Sequence, residues 1–239
     1  MKINGSLGII GAMDSEVEHI LSFLKGSRRE KLFGLDFFIS NVNTADIVLV
    51  KCGVGKVNAA RCAQLLIDRF GAGALINTGI AGGVSPQMEV GDVVVATELC
   101  QHDFDITAFG HVKGYMSTGA DDRYPTFFAA DPVLSDNLFE CAKKSVDENR
   151  IKRGRIASGD VFVSSAQQKK EIFDNFGAFC AEMEGAAIAQ AAEYSGVPFA
   201  VLRVISDRAD GKAAESFEKF EAQTAALSSE IIKSFIELI

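Results

Sequence analysis

The sequence predicts an α/β fold of three layers, with helices on both faces of a mostly parallel, mixed sheet. Three observations carry this. Short β-branched and apolar runs recur along the chain, and most end at a glycine-rich turn. A segment with helical spacing of apolar residues generally follows. Most runs are apolar throughout rather than alternating, as strands covered on both faces are.

Taken in order, Leu7–Ile10 is the first strand, leading through Gly11-Ala12-Met13 into a helix over Ser15–Leu24. Phe33–Ile39 and Ile47–Lys51 read as a hairpin, which makes the sheet mixed. Ile47–Val50 then runs into Gly53-Val54-Gly55 and a helix over Lys56–Phe70. Ala74–Asn77 ends at the glycine-rich turn Thr78–Gly83, and Val93–Ala96 is a further buried strand. Pro132–Val146 is an amphipathic helix, with Asp131 as N-cap and proline at the first helical position. Phe179–Met183 is a strand leading into the helix Glu184–Tyr194. Phe199–Ile205 is a strand, and Ala214–Leu238 a closing helix. Ligands of such sheets bind beyond the carboxyl ends of the strands, where the glycine-rich turns lie.

The bulk numbers narrow the function. A chain of 239 residues, 48% hydrophobic and 23% charged, fits one globular domain over 1–239. A net charge of −8, without any lysine or arginine cluster, argues against a nucleic-acid partner or an anionic membrane. The first apolar segment is too brief for a signal peptide or a membrane span. Five scattered cysteines, odd in number, form no C-x-x-C pair and read as reduced structural thiols. A cytoplasmic enzyme is expected.

Chemistry is sought first in the glycine loops. Gly53-Val54-Gly55-Lys56 lacks P-loop spacing, and neither Gly8–Gly11 nor Gly79–Gly83 fits the dinucleotide fingerprint. They read as tight turns, though Thr78–Gly83 would let a ligand approach the backbone closely. Three acids stand where strands give way to loops or helices. Alone, Glu16 reads as a helix-dipole partner. Glu184 lies with Glu182 among small and apolar residues, at a strand-to-helix junction. Asp207 follows the strand ending Val204-Ile205-Ser206, and reads either as a cap or as an acid aimed into a site. His19, His102 and His111 have no metal-ligand spacing, so neither metal nor cofactor is expected. A G-x-S-x-G elbow and a Cys–His nucleophile pair are both missing.

Together the motifs resemble the 5′-methylthioadenosine/S-adenosylhomocysteine nucleosidase family, of the nucleoside phosphorylase–hydrolase superfamily. The matching pieces are Gly8–Met13 with Glu16, Cys52–Ala60, Asn77–Gly83, Val90–Val94, Asp105–Gly110, Ser158-Gly159-Asp160, Glu182-Met183-Glu184 and Ile205-Ser206-Asp207. They span nearly the whole chain in family order. The resemblance implies a phosphorylase/hydrolase-like αβα sandwich, a homodimer, and hydrolysis of the adenine–ribose bond in methionine salvage and nucleoside catabolism. Glu16 would activate the attacking water, and Asp207 would bind adenine and deliver a proton toward N7. Glu184, with Met183 and Arg203, would hold the ribose hydroxyls, Glu182 and Ser206 lying in the same site. Phe162 would stack on the base, the Val163 backbone would read it, and Ala81 and Gly82 would lie near the sugar. Met13, Val54 and Phe217 would line the 5′-alkylthio pocket, completed by Ile106 and Phe109 of the partner subunit.

Ile80 stands where many relatives carry serine and Val54 where isoleucine is common, and Gly110–Phe128 matches poorly. Three rivals remain. A purine nucleoside phosphorylase would need cations for phosphate, and Gly11–Glu16 and Asn77–Gly83 contain none. A non-catalytic nucleoside-binding protein would be marked by loss of an acid, and all three are present. Hydrolysis of aminodeoxyfutalosine stands as an added activity.

Overall fold

The computed structural model describes residues 3–43, 45–117 and 121–239. Four parallel strands form its centre: β1 (Ser6–Gly11), β4 (Ala45–Lys51), β5 (Ala72–Gly83) and β10 (Phe199–Asp207), in the order β4-β1-β5-β10. Their carboxyl ends face the same way. Beyond β4, the antiparallel strands β3 (Leu35–Val42) and β2 (Arg28–Leu32) extend the sheet. On the other side the sheet curls back on itself. β10 pairs antiparallel with β6 (Val93–Gln101), β6 parallel with β8 (Ile151–Ser158), and β8 parallel with β9 (Cys180–Glu182). β9 then returns to β5, antiparallel at Gly82 and Gly83. Five strands thus close a ring, with the two-residue β7 (Phe128–Ala129) hanging on β6.

Helices cover both faces, as expected. On one side, α1 (Asp14–Phe23), α3 (Pro132–Ala142) and α6 (Ala213–Ile236) bury Ile20, Leu138 and Phe235 against Leu7, Ile9, Leu202 and Val204. On the other, α2 (Lys56–Phe70) and α5 (Gly185–Tyr194) bury Ala63, Leu66, Ala186 and Ala189 against Ile10, Val50, Leu75 and Val201. Strand neighbours therefore point to opposite layers, and the continuous apolar runs have a core on each side. The alanine-rich face of α5 lets it pack closely. The remaining helix, α4 (Ala166–Phe176), caps the β8–β9 connection through Ile172 and Phe176.

Three expectations are corrected. The glycine-rich segment Thr78–Gly83 is strand, not turn, because β10 pairs with it as far as Gly82 and β9 takes its other edge at the end. The helix from Pro132 stops at Ala142 rather than Val146, and α5 starts at Gly185 with Glu184 as its N-cap. β2, β8 and α4 are additional elements; β2 is a charged edge strand and β8 is interrupted by Lys152, Arg153 and Arg155. Among the described residues no helix is long and apolar enough to cross a membrane. All five cysteines are buried and free.

Asp131 caps α3 as anticipated, its carboxylate accepting from the Leu134 amide at 2.8 Å. Asp131→Ala should therefore lower unfolding free energy by about 1 kcal/mol, read from urea midpoints. Because the cap lies away from the carboxyl ends of the central strands, ligand binding there should be unchanged.

Candidate active site

Beyond the carboxyl ends of β1, β5 and β10 lies a cavity of about 230 Å³ whose lining includes Glu16, Glu184 and Asp207. Three chain turns bring these acids together from positions far apart in sequence. Each is nearly withdrawn from water, at 5%, 6% and 1% exposure.

Glu16 occupies the third position of α1 and folds back over the turn that precedes the helix. Its Oε2 accepts from the amides of Ala12 at 2.6 Å and Met13 at 3.1 Å, and its Oε1 from Ile80 at 3.2 Å. The Met13 contact is half of a capping box, so the helix-dipole reading is correct as far as it goes. The Ile80 contact goes further, because it ties the acid to β5. That approach needs glycine beside it. Gly79 has φ +155°, and a Cβ there would lie 2.3 Å from Glu16 Oε1. Burial raises the Glu16 carboxyl above its ordinary range, against the opposing pull of Arg203 and three amides.

Asp207 is the last residue of β10. Its Oδ1 accepts from the Ala209 amide at 2.7 Å, and the Ser206 hydroxyl lies 2.9 Å from its Oδ2. Ser206 Oγ also lies 3.3 Å from the Ala81 carbonyl. The hydroxyl can therefore donate to the carboxylate, or turn to the carbonyl and accept from a protonated Asp207. Burial again raises this acid above its ordinary range, against the Ala209 amide and the Ser206 hydroxyl.

Glu184 sits between two neighbours of opposite sign. The Gly55 amide donates to its Oε1 at 2.8 Å, and Arg203 Nη2 stands 4.0 Å from its Oε2. Glu182, two residues away, is engaged elsewhere: it accepts from the Gly185 amide at 2.8 Å and the Glu184 amide at 3.1 Å, and bonds Ser158 Oγ and Arg203 Nη2. Burial, then the Glu182 charge, push Glu184 up to about 8, against Arg203 and the Gly55 amide.

The other expected residues divide. Met13, Val54, Ala81, Gly82, Phe162, Met183, Ser206 and Phe217 line the cavity with Glu182. Phe162 and Phe217 meet edge to face, with centroids 5.8 Å apart. Arg203 does not line it. At 1% exposure it lies behind the acids, bonding Glu182 and donating to Asn77 Oδ1 at 2.5 Å, so direct contact with ribose hydroxyls is replaced by a counter-ion position. The Glu182 carboxylate is likewise committed to protein partners. Val163 is buried and lines a second hollow of about 160 Å³ beside His102 and Phe176, not this cavity. Ile106 and Phe109 lie at and in a single-turn helix outside the cavity, Phe109 being 79% exposed.

Ala12, Ile80 and Ala181 also form the lining. The Gly55 amide, Asn77 and Ser158 support it, and only their place within the quoted motifs could have singled them out. No lysine or arginine is among the lining residues. Among the described residues no cluster of three or more metal-ligating side chains is found.

Comparison with known proteins locates this arrangement. A family model described as the phosphorylase superfamily matches residues 6–237. The chain is 39% identical to the 5′-methylthioadenosine/S-adenosylhomocysteine nucleosidase of Treponema pallidum (strain Nichols), covering 94% of this chain and 90% of that protein. An aspartate-to-asparagine mutant of the Helicobacter pylori nucleosidase, with 5′-methylthioadenosine in its active site, matches with TM-score 0.92 and 32% identity, over 99% of this chain and 100% of that one. The native futalosine hydrolase of Helicobacter pylori strain 26695 matches with TM-score 0.91 and 32% identity, over 98% of each chain.

The raised Glu184 carboxyl has a measurable cost. Unfolded, it releases its proton near the ordinary value of 4.5; folded, it holds it up to about 8. The folded state therefore binds more protons between these values, and stability falls as pH rises through them. Glu16 and Asp207 act in the same direction, so the parent's decline is a sum. Urea midpoints measured from pH 4.5 to 8 should fall less steeply for Glu184→Gln than for the parent.

Proposed function

The chain belongs to the phosphorylase superfamily, and on that footing we propose that it hydrolyses the N-glycosidic bond of 5′-methylthioadenosine and S-adenosylhomocysteine, releasing adenine and the thioribose product. The observation that carries the reading is three desolvated carboxylates around one cavity with no cation in its lining. Departure of adenine leaves positive charge on the ribose and puts negative charge on the base. Carboxylates beside the sugar stabilise the first, and a protonated acid at the base relieves the second.

Each acid has a task its geometry suits. Glu16, held by three amides and raised by burial, takes a proton from the attacking water. Asp207 enters protonated and donates toward N7, and the Ser206 hydroxyl and the Ala209 amide then donate to the carboxylate left behind. Glu184 accepts from the ribose hydroxyls, and Met183 packs on the same side. Phe162 stacks on the base and the Val163 backbone reads its edge; Ala81 and Gly82 lie under the sugar. Met13, Val54 and Phe217 take the 5′ substituent.

Water rather than phosphate suits this site. A phosphate beside Glu16 would meet a carboxylate and no guanidinium or ammonium group, and the repulsion in a desolvated site is large. The likeness to a futalosine hydrolase favours aminodeoxyfutalosine as a second substrate. We take residues 1–239 to be one nucleosidase domain acting as a homodimer. The exposure of Phe109 supports its reaching, with Ile106, into the partner's 5′ pocket. Five free buried thiols suit a reducing cytoplasm.

Incubation with methylthioadenosine, with and without phosphate, should release free adenine at the same rate in both. Release that requires phosphate would sink the hydrolase reading. Asp207→Asn keeps the shape but not the proton, and should lower kcat by about 100-fold or more, the usual worth of a general acid. Near-normal turnover would remove Asp207 from that role.

A further inference from the structure

The cavity's mouth is built from two turns that share no secondary structure. One, Gly53–Gly55 between β4 and α2, contributes Val54; the other, after β8, contributes Phe162. Neither turn is held mainly by itself. Gly55 has φ +102°, and a Cβ there would lie 3.1 Å from Asp160 Oδ1, so the two turns touch at this point. Asp160 Oδ1 accepts from the Lys56 amide at 2.8 Å.

A third segment locks the pair. Asp103 follows the end of β6 and uses both carboxylate oxygens. Its Oδ1 takes the Lys56 ammonium at 2.6 Å, and its Oδ2 accepts from the Asp160 amide at 2.8 Å. Lys56 Nζ donates also to Gln101 Oε1 at 3.0 Å, itself braced by Gln190. The side chains of Lys56 and Asp103 are only 17% and 23% exposed, so water screens the pair weakly. Burial alone would raise Asp103; the Lys56 bond, the Asp160 amide and the Lys56 charge hold it below the ordinary carboxylate value. One residue before Lys56 is Gly55, whose amide holds Glu184.

We propose that Asp103 is a positioning residue for the reaction: its carboxylate joins the Gly53–Gly55 and Asp160–Phe162 turns, and through Gly55 it sets the place of Glu184. Asp103 lies outside the cavity lining, so it acts only through what it holds. Its loss lets the two walls part and loosens the amide that aims Glu184. Substrate binding suffers most, because both walls face the substrate, and the chemical step suffers less.

The proposal rests on the hydrolase reading only for its activity readout. In Asp103→Asn, kcat/KM for methylthioadenosine should fall about tenfold, mostly through KM, as expected when binding common to the ground and transition states is weakened. Lys56→Met should behave alike, and the double variant should lose little more than either single one, because both open the same joint. Hydrogen exchange at the Gly55 amide should quicken in Asp103→Asn, a readout independent of turnover. An unchanged kcat/KM, a loss confined to kcat, or additive single losses would each overturn the proposal. If the parent releases no adenine, the hydrolase reading fails and the Gly55 amide decides alone: unchanged exchange there overturns the joint.

Discussion

A single guanidinium, wholly inside the protein, governs the arrangement around it. Arg203 is 1% exposed and lies among Glu182, Glu184 and the more distant Glu16. A buried ion costs several kcal/mol of lost hydration, and a pair recovers this only when geometry and hydrogen bonds are good. Here they are good for one partner. Glu182 binds Arg203, Ser158 and the first amides of α5, while Asn77 fixes the guanidinium from the β5 side. Arg203 Nε is left without a partner among the described residues, a cost the arrangement tolerates.

That allocation explains why neighbouring glutamates behave differently. With one cation absorbed mostly by Glu182, Glu184 stands in its neighbour's negative field with only a distant share of Arg203. It is therefore a carboxyl favoured in its neutral form, and its Oε2, unlike the Oε1 that takes the Gly55 amide, is left for a ligand. Its neighbour has no oxygen to spare, and serves the site by holding the helix start from which Glu184 projects. Two similar residues two positions apart thus divide into a scaffold and a working group.

Much of this was legible in the chain. The apolar runs of β1, β4 and β10 and the helix Lys56–Phe70 follow from local pattern, since burial on both faces leaves little polar sequence in a strand. β8 was not legible, because its arginines fold outward onto Glu98 and the Phe127 and Phe139 rings, partners that only the tertiary structure supplies. Thr78–Gly83 looked like a turn for the same reason: its glycines serve close approach by Glu16 and neighbouring strands, not chain reversal. The three acids could be found at element ends. Their dependence on Arg203 could not, since Glu182 and Arg203 meet across 21 positions and Asn77 and Arg203 across 126.

The ring closed by β10 bears on how the molecule comes into being. β5 and β10 pair along most of their length, yet more than a hundred residues separate them. Loop closure on that scale is paid before the contact repays it, so the ring belongs to the slow, non-local part of folding. During synthesis β5 emerges long before its partner, with an apolar edge unclaimed. Asp207 ends the very strand that seals that edge. The pocket therefore acquires its third acid in the same event that completes the sheet, and a nascent chain lacking β10 has neither a closed ring nor a finished place to bind.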